Sequence, residues 1–201
     1  MELPITFIRH GMTAANQERR YIGQLNDPDL DPTGIRQLED ARAHKRYPKA
    51  DALYVSPLRR CLKTARLLYP MLVPVVLPSL TELNFGAFDG KNYEQLKEDQ
   101  AYKRWIDTAG AAAPPGGESG GEFAARLHGA MKRIAEDADH SHIRCPVVVT
   151  HGGCIMTILS TLAAFDEPGA GELYHFQVTN GSGFTALMDT NTQRLSRIRP
   201  V

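Results

Sequence analysis

Short apolar runs alternate with amphipathic stretches along this chain, a pattern typical of an α/β fold. Residues 5–8, 51–55 and 146–150 form the clearest runs, and each is followed within three residues by a glycine or a proline. Because such residues turn the chain, each run predicts a strand that ends in a tight turn. Residues 146–150 are continuous and rich in valine, which predicts a strand buried on both faces.

Further apolar segments predict weaker parts of the sheet. Residues 73–77 are bracketed by Pro74 and Pro78, and because proline removes a ladder donor, this segment predicts an edge strand. Residues 174–178 and 184–188 are joined through a segment rich in glycine, asparagine and serine. They predict a hairpin near the C-terminus.

Helices are predicted between the strands. Apolar residues at helical spacing predict helices from residue 33 to about 47 and over residues 155–164. Ser56, which precedes a proline, is predicted to cap the helix that follows it. Ser119 and Glu122 have the spacing of a capping box before an amphipathic stripe, so another helix is predicted to begin there.

The domain organisation is interpreted from length and from one biased segment. The chain has 201 residues, which most simply form one domain. Residues 107–121 are rich in alanine, proline and glycine and predict a loop. Helices and strands resume after this segment, so we interpret residues 1–201 as a single domain with a lid-like insertion around residues 90–121.

Composition narrows the function classes. Lys and Arg number 23, as do Asp and Glu, whereas non-specific binders of nucleic acids or membranes usually carry a basic excess. The three cysteines lack paired spacing, which excludes a disulfide scaffold and a CxxC zinc site. The chain shows no membrane-span pattern and no secretory leader pattern, so a cytoplasmic protein is expected. A monomer and a homodimer both remain open.

Two predicted strands end in a histidine followed by a glycine. These pairs are His10-Gly11 and His151-Gly152. Ligands of open α/β sheets bind beyond the carboxyl ends of the strands, and glycine lets a ligand approach the backbone closely. One such histidine fits a turn residue equally well, but two at the same kind of junction favour a shared site.

Arginines and a carboxylate follow the other predicted strands. Arg59 and Arg60 come after residues 51–55, where guanidinium groups near a helix N-terminus suit a dianion, although a solvated basic face accounts for one of them. Glu82 taken alone reads as a surface residue, with a general acid as the alternative. Together, two histidines, at least two arginines and one carboxylate suit phosphoryl transfer through a phosphohistidine.

In this order, the motifs resemble those of the histidine phosphatase superfamily, also called the phosphoglycerate-mutase-like proteins. The resemblance extends from residue 5 to residue 188. The matching elements are Arg9-His10-Gly11-Met12-Thr13 with Asn16, then Arg20 and Gly23, Pro32-Thr33-Gly34 with Gln37, Ser56-Pro57-Leu58-Arg59-Arg60, Glu82-Leu83-Asn84-Phe85-Gly86 and Thr150-His151-Gly152-Gly153.

The resemblance implies a three-layer α/β/α sandwich on a mostly parallel, mixed-edge sheet. It implies that His10 is the phosphorylated nucleophile and that Glu82 is the proton donor. The residues that it implies for binding the phosphoryl group are Arg9, Asn16, Gly23, Arg60, His151 and Gly152. It implies no metal and no organic cofactor.

The same family contains phosphatases and mutases. The mutases carry an insertion rich in arginine and aromatic residues after the catalytic glutamate, whereas residues 90–119 here contain no Arg-Arg pair. We therefore predict a cofactor-independent, histidine acid-type phosphatase that hydrolyses small-molecule phosphomonoesters. The chain resembles most the short members that act on α-ribazole 5′-phosphate, while sugar phosphates and phosphoglycerate remain open.

Two alternatives come from other classes. A phosphoglycerate mutase-type transfer uses the same phosphohistidine. A non-catalytic module that binds a phosphorylated ligand would keep the pocket but typically lose the nucleophile or the proton donor, and this chain retains both His10 and Glu82. A dinucleotide-binding oxidoreductase is set aside, because no GxGxxG motif follows a predicted strand.

Overall fold

The computed structural model describes residues 1–44 and 46–201, built on one six-stranded sheet. The strands are β1 (Glu2–Arg9), β2 (Ala52–Val55), β3 (Val75–Val76), β4 (Pro146–Thr150), β5 (Gly183–Asp189) and β6 (Leu195–Pro200). The helices are α1 (Ala14–Gln17), α2 (Pro32–Ala43), α3 (Arg59–Leu68), α4 (Tyr93–Leu96), α5 (Gln100–Asp107), α6 (Gly120–Ser141) and α7 (Gly152–Leu162). Short 3₁₀ turns occupy Pro78–Leu80, Gly86–Phe88 and Leu173–Phe176.

The strand order is β3-β2-β4-β1-β5-β6. Neighbouring strands from β3 to β1 are parallel, whereas β5 is antiparallel to β1 and β6 to β5. This is the mostly parallel sheet with a mixed edge that the sequence predicts. The carboxyl ends of β1, β2 and β4 therefore lie at one edge of the sheet, where α/β proteins bind their ligands.

Side-chain alternation along the strands creates two cores. In β4, Val148 packs with helices α6 and α7 on one face, while Val147 and Val149 pack with α2 and α3 on the other. Strand β1 divides in the same way, with Phe7 in the first core and Ile8 in the second. Because residues of a strand point alternately to opposite faces, the sheet is covered on both sides and the α/β/α sandwich is confirmed.

The C-terminal hairpin differs from its prediction. Residues 174–178 are not a strand, since Leu173–Phe176 is a 3₁₀ turn, and the hairpin is formed by β5 and β6. The residues between that turn and β5 are held against the end of β1 instead, where the Gly181 N–H donates to the carbonyl of Arg9. Strand β6 has only Leu195 fully buried, so its sequence carries little apolar alternation.

Helix boundaries follow the capping chemistry in one case and not in another. Ser119 and Glu122 form the predicted capping box at the start of α6. Helix α3 begins at Arg59, and its N-terminal cap is Leu58, without a side-chain hydrogen bond. The predicted capping role of Ser56 is therefore wrong: its oxygen accepts from the N–H of Leu58, at 3.4 Å, and not from an N–H in the first turn of the helix. Helix α2 ends at Ala43, short of the predicted residue 47.

The segment around residues 90–121 contains α4, α5 and an irregular loop. An aromatic cluster ties it to the rest of the chain: Tyr102 and Trp105 of α5 contact Phe88 and Tyr21. The Tyr21 and Tyr102 hydroxyls are hydrogen-bonded at 2.7 Å. In the part of the chain that the structure describes, no helix combines the length and the hydropathy needed to cross a bilayer.

Candidate active site

The register between β1 and β4 brings two histidines together. Arg9 is paired with Thr150 across the parallel strands, so the next residue of each strand, His10 or His151, emerges at the same edge. Their ring centroids are 5.3 Å apart in an edge-to-face arrangement. The side chains are 4% and 0% exposed, which makes this pair the buried floor of the site.

The hydrogen bond of His10 fixes its tautomer. Its Nδ1 lies 2.8 Å from the carbonyl oxygen of Gly11, and because a carbonyl can only accept, Nδ1 carries the proton. The lone pair then resides on Nε2. Burial, followed by the charges of Arg60 and Arg9, lowers the pKa of His10 well below its usual value. The ring is therefore neutral near pH 7 and presents a basic nitrogen.

Arg60, in the first turn of α3, is 1% exposed. Its guanidinium donates to the carbonyls of Gly23, at 2.9 Å, and Asn26, at 3.2 Å. It also pairs with Asp27 at 3.2 Å. These acceptors hold the two Nη groups, but the buried Nε has no hydrogen-bond partner among the described residues. Arg59 points outward.

Arg9 supplies a second guanidinium beside the same histidines. Its Nη1 donates to the Val178 carbonyl at 2.7 Å, and its buried Nε, like that of Arg60, lacks an acceptor within residues 1–44 and 46–201. Burial lowers the pKa of Arg9, and the Glu82 carboxylate opposes that effect. A Cβ atom at Gly152 would lie 3.3 Å from the Arg9 guanidinium carbon, so this glycine lets the group lie over the start of α7.

Glu82 is buried, with 8% exposure, and the surface interpretation of this residue is wrong. One carboxylate oxygen accepts from the Leu83 N–H at 2.9 Å and the other from the Gly153 N–H at 3.0 Å. A Cβ atom at Gly153 would overlap the carboxylate. The second glycine after His151 therefore makes room for Glu82 and holds it at the N-terminus of α7.

The loop that carries Glu82 is held by two residues that sequence reasoning missed. Arg126 of α6 donates to the carbonyls of Thr81, at 2.7 Å, and Glu82, at 2.9 Å. It also pairs with Glu118 at 2.6 Å, and Glu118 accepts from the Asn84 N–H at 2.8 Å. The spacing of Arg126 within an amphipathic helix gave no signal of this role.

Asn16 lies at the rim of the site, in a short capping box with Thr13. Its amide oxygen accepts from the Thr13 N–H and from the side chain of Asn180, at 3.2 and 3.0 Å. Its NH₂ group remains to donate. Asn180 also donates to the His10 carbonyl at 3.1 Å, a contact across 170 residues that no local pattern indicates.

Gly23 has a different environment from the other predicted phosphate-binding residues. Its carbonyl accepts from Arg60, and its N–H donates to Asp89 at 3.3 Å. Both backbone groups are thus engaged within the protein. The structure places Gly23 behind Arg60, as a support for that guanidinium.

A cavity of about 660 Å³ opens beside these groups. Its lining includes four residues of the candidate site, Arg9, Glu82, Gly152 and Gly153. The rest of its lining is Met12, Met156, Gln177, Val178, Thr179 and Asn180. Within residues 1–44 and 46–201, no group of three or more His, Cys, Asp and Glu side chains is placed to hold a metal ion.

Two thiols lie close to the site, and both are fully buried. Cys61 approaches His151, and Cys154 donates to the Thr81 carbonyl at 3.1 Å. Burial raises the pKa of both thiols above the usual value. They remain protonated near pH 7, so the basic nitrogen of His10 is the stronger nucleophile at this edge.

Comparisons with known proteins agree with this geometry. Residues 5–199 match the family model of the histidine phosphatase superfamily, branch 1. The chain is 30% identical to the "Adenosylcobalamin/alpha-ribazole phosphatase" of Escherichia coli, over 87% of this chain and 84% of that protein. It is 32% identical to the "Probable phosphoglycerate mutase GpmB" of Yersinia pestis, over 82% of this chain and 78% of that protein. The solved mycobacterial glucosyl-3-phosphoglycerate phosphatase superposes with a TM-score of 0.81 at 28% identity, covering 98% of this chain and 97% of that one.

Proposed function

This chain belongs to the histidine phosphatase superfamily, and from that premise we propose that it hydrolyses small-molecule phosphomonoesters through a phosphohistidine on His10. One observation carries the proposal. Two buried guanidinium Nε–H groups, of Arg9 and Arg60, lack acceptors among the described residues, and both charges lie near enough to lower the pKa of His10. Such donors around a neutral imidazole suit a phosphoryl dianion.

In the first step, His10 Nε2 attacks phosphorus. The N–P bond forms as the P–O bond to the leaving group breaks, and Glu82 gives its proton to the departing oxygen. Arg9, Arg60 and His151, with the NH₂ group of Asn16 and the N–H of Gly152, hold the other three phosphoryl oxygens. Their fixed N–H groups stabilise the charge that redistributes over those oxygens.

In the second step, water replaces the alcohol. Glu82, now ionised, takes a proton from the water while its oxygen attacks phosphorus, and the N–P bond breaks to return a neutral His10 and inorganic phosphate. The hydrogen bonds from Leu83 and Gly153 hold the carboxylate in one place for both steps. Neither step requires a metal or an organic cofactor, so we propose a cofactor-independent phosphatase of the histidine acid type.

For the substrate, we propose α-ribazole 5′-phosphate as the first candidate, supported by the resemblance to the E. coli phosphatase. A mutase is the second candidate, supported by the Yersinia relative. A mutase must retain a phosphorylated product for a second transfer. The single cationic side chain in the lining of the 660 Å³ cavity, within the described residues, is Arg9, which favours release of the product.

Phosphorus NMR with a panel of esters tests this function. The panel contains α-ribazole 5′-phosphate, phosphoserine, glucosyl-3-phosphoglycerate, 3-phosphoglycerate and p-nitrophenyl phosphate. We expect inorganic phosphate as the product, with α-ribazole 5′-phosphate hydrolysed fastest. An isomeric phosphoglycerate in place of inorganic phosphate would identify a mutase. Phosphate binding with no turnover of any ester would identify a non-catalytic module.

A further inference from the structure

Ser56 lies against the second histidine of the site. Strands β2 and β4 are paired through Val55 and Val149, and the Ser56 N–H donates to the Val149 carbonyl at 3.1 Å. This register places the Ser56 hydroxyl 2.8 Å from Nε2 of His151. Both residues are 0% exposed, so the contact is sealed from solvent.

The direction of this hydrogen bond follows from the other partners of the two groups. The Leu58 N–H points at the Ser56 oxygen at 3.4 Å, so that oxygen already has a donor. The hydroxyl proton still needs an acceptor, because a buried unpaired donor is unfavourable. The thiol of Cys61 is a donor to the Thr150 carbonyl. The Cys61 sulfur also neighbours Ser56 and lies 3.5 Å from His151 Nε2. Because a thiol sulfur is a weak acceptor and an imidazole nitrogen a strong one, the Ser56 proton goes to His151 Nε2.

We infer that Ser56 is a positioning residue, which holds His151 in the tautomer with its proton on Nδ1 so that this ring donates to the transferring phosphoryl group. The inference rests on the proposed phosphatase function. It makes the two imidazoles complementary. His10 keeps a lone pair on Nε2 because a carbonyl occupies its Nδ1, whereas His151 keeps an N–H on Nδ1 because a hydroxyl occupies its Nε2.

The tautomer matters because the ring is neutral. Burial, then the charge of Arg60, lowers the pKa of His151 well below its usual value. A neutral imidazole has one N–H only. Among the described residues, the contact recorded for Nδ1 is the weak one with the Cys61 sulfur, at 3.8 Å. If the proton sat on Nε2, a phosphoryl oxygen bound beside Nδ1 would meet a lone pair instead of an N–H and would be repelled.

Substitution of Ser56 separates this role from a packing role. In Ser56→Ala, we expect kcat to fall on the order of 10- to 100-fold with a smaller change in KM, somewhat less than the loss of an oxyanion donor outright. Ser56→Thr keeps the hydroxyl and is expected to restore most of kcat. Ser160→Ala is the matched control, since it removes another buried hydroxyl, bonded to Thr157 in α7, and is expected to leave kcat unchanged.

Nitrogen-15 NMR of the imidazole rings reads the tautomer directly, without a substrate. We expect the His151 proton on Nδ1 in the native protein and on Nε2 in Ser56→Ala. A native spectrum with the proton on Nε2 overturns the inference, and that spectrum decides the matter even if Ser56→Ala fails to fold. An unchanged tautomer together with an unchanged kcat in Ser56→Ala overturns it as well. Absence of all phosphatase activity in the native protein would defeat the proposed function, while the NMR result would still report on Ser56.

Discussion

Arg59 and Arg60 are adjacent in the chain, yet their side chains are 69% and 1% exposed. The difference arises because consecutive residues of a helix point about 100° apart, so that only Arg60 enters the site. Arg59 contacts the same Asp27 that pairs with Arg60, but its own side chain stays exposed. In the proposed mechanism, this divergence assigns the contact with the phosphoryl group to Arg60.

Replacement of Arg60 by alanine is expected to cost about 3 kcal/mol of transition-state stabilisation, by analogy with a lost oxyanion donor. Arg59→Ala is the matched control and is expected to change kcat/KM less than about twofold, in keeping with the small free energies of exposed ion pairs. Steady-state kinetics of both variants, with thermal unfolding to check the fold, make the comparison. A large loss of activity in Arg59→Ala, together with unchanged activity in Arg60→Ala, would show that the assignment to Arg60 is wrong.

Replacement of Glu82 by glutamine keeps the shape of the side chain and removes the transferable proton. We expect hydrolysis of alkyl phosphates to slow far more than hydrolysis of p-nitrophenyl phosphate, because only a poor leaving group needs protonation. The measurement is kcat for a series of esters with leaving groups of different pKa. Equal losses across the series would remove Glu82 from the proton-donor role.

Replacement of Gly153 by alanine is expected to disturb catalysis by displacing Glu82. At Gly153 an added methyl would collide with the Glu82 carboxylate, so Gly153→Ala is expected to resemble Glu82→Gln in its dependence on the leaving group. A fully active Gly153→Ala would contradict this packing of Glu82.

At Gly129 in α6, a Cβ atom meets nothing within 4 Å, so Gly129→Ala is expected to raise the free energy of unfolding by about 0.5–1 kcal/mol.

The buried histidines predict how stability depends on pH. His10 and His151 have pKa values well below the usual 6.5 in the folded protein, so the unfolded chain binds more protons below pH 6.5. Stability is then present above that pH and is lost as the pH falls below it, by up to about 1.4 kcal/mol per pH unit for each histidine. Urea unfolding at a series of pH values between about 5 and 8 measures this slope.

The variant His10→Asn is expected to remove the contribution of one histidine from that slope, up to about 1.4 kcal/mol per pH unit. The control His142→Asn replaces an exposed histidine with a left-handed backbone conformation, which asparagine also adopts readily. We expect it to leave the slope unchanged. A free energy of unfolding that is independent of pH between about 5 and 6.5 would show that the two rings take up protons as readily in the folded state as in the unfolded chain.

Sequence reasoning found the histidine junctions because they are local. Each of His10 and His151 follows an apolar strand and precedes a glycine, and the parallel register then aligns them. The same reasoning failed for Ser56, since a serine before a proline resembles a helix cap, and its partner His151 lies 95 residues away.

The supports of Glu82 were equally hidden from the sequence. Arg126 lies 44 residues from the carbonyl to which it donates, and it belongs to a helix whose polar positions all look alike in the sequence. Glu82 itself looked like a surface residue, because its burial depends on α7 and on the glycine that opens a place beside it. Contacts between distant segments are set by the fold, and a single sequence gives no local sign of them.

The covalent intermediate is tested most directly by rapid mixing, an alkaline quench and peptide mass spectrometry. The quench is alkaline because the N–P bond of a phosphohistidine is hydrolysed in acid. With a good substrate in the native protein, we expect one phosphoryl group on the peptide that contains His10, and none on the peptide that contains His151. His10→Ala is expected to show neither the modification nor turnover. Turnover by His10→Ala at the native rate, or a phosphoryl group carried by another residue, would contradict the account.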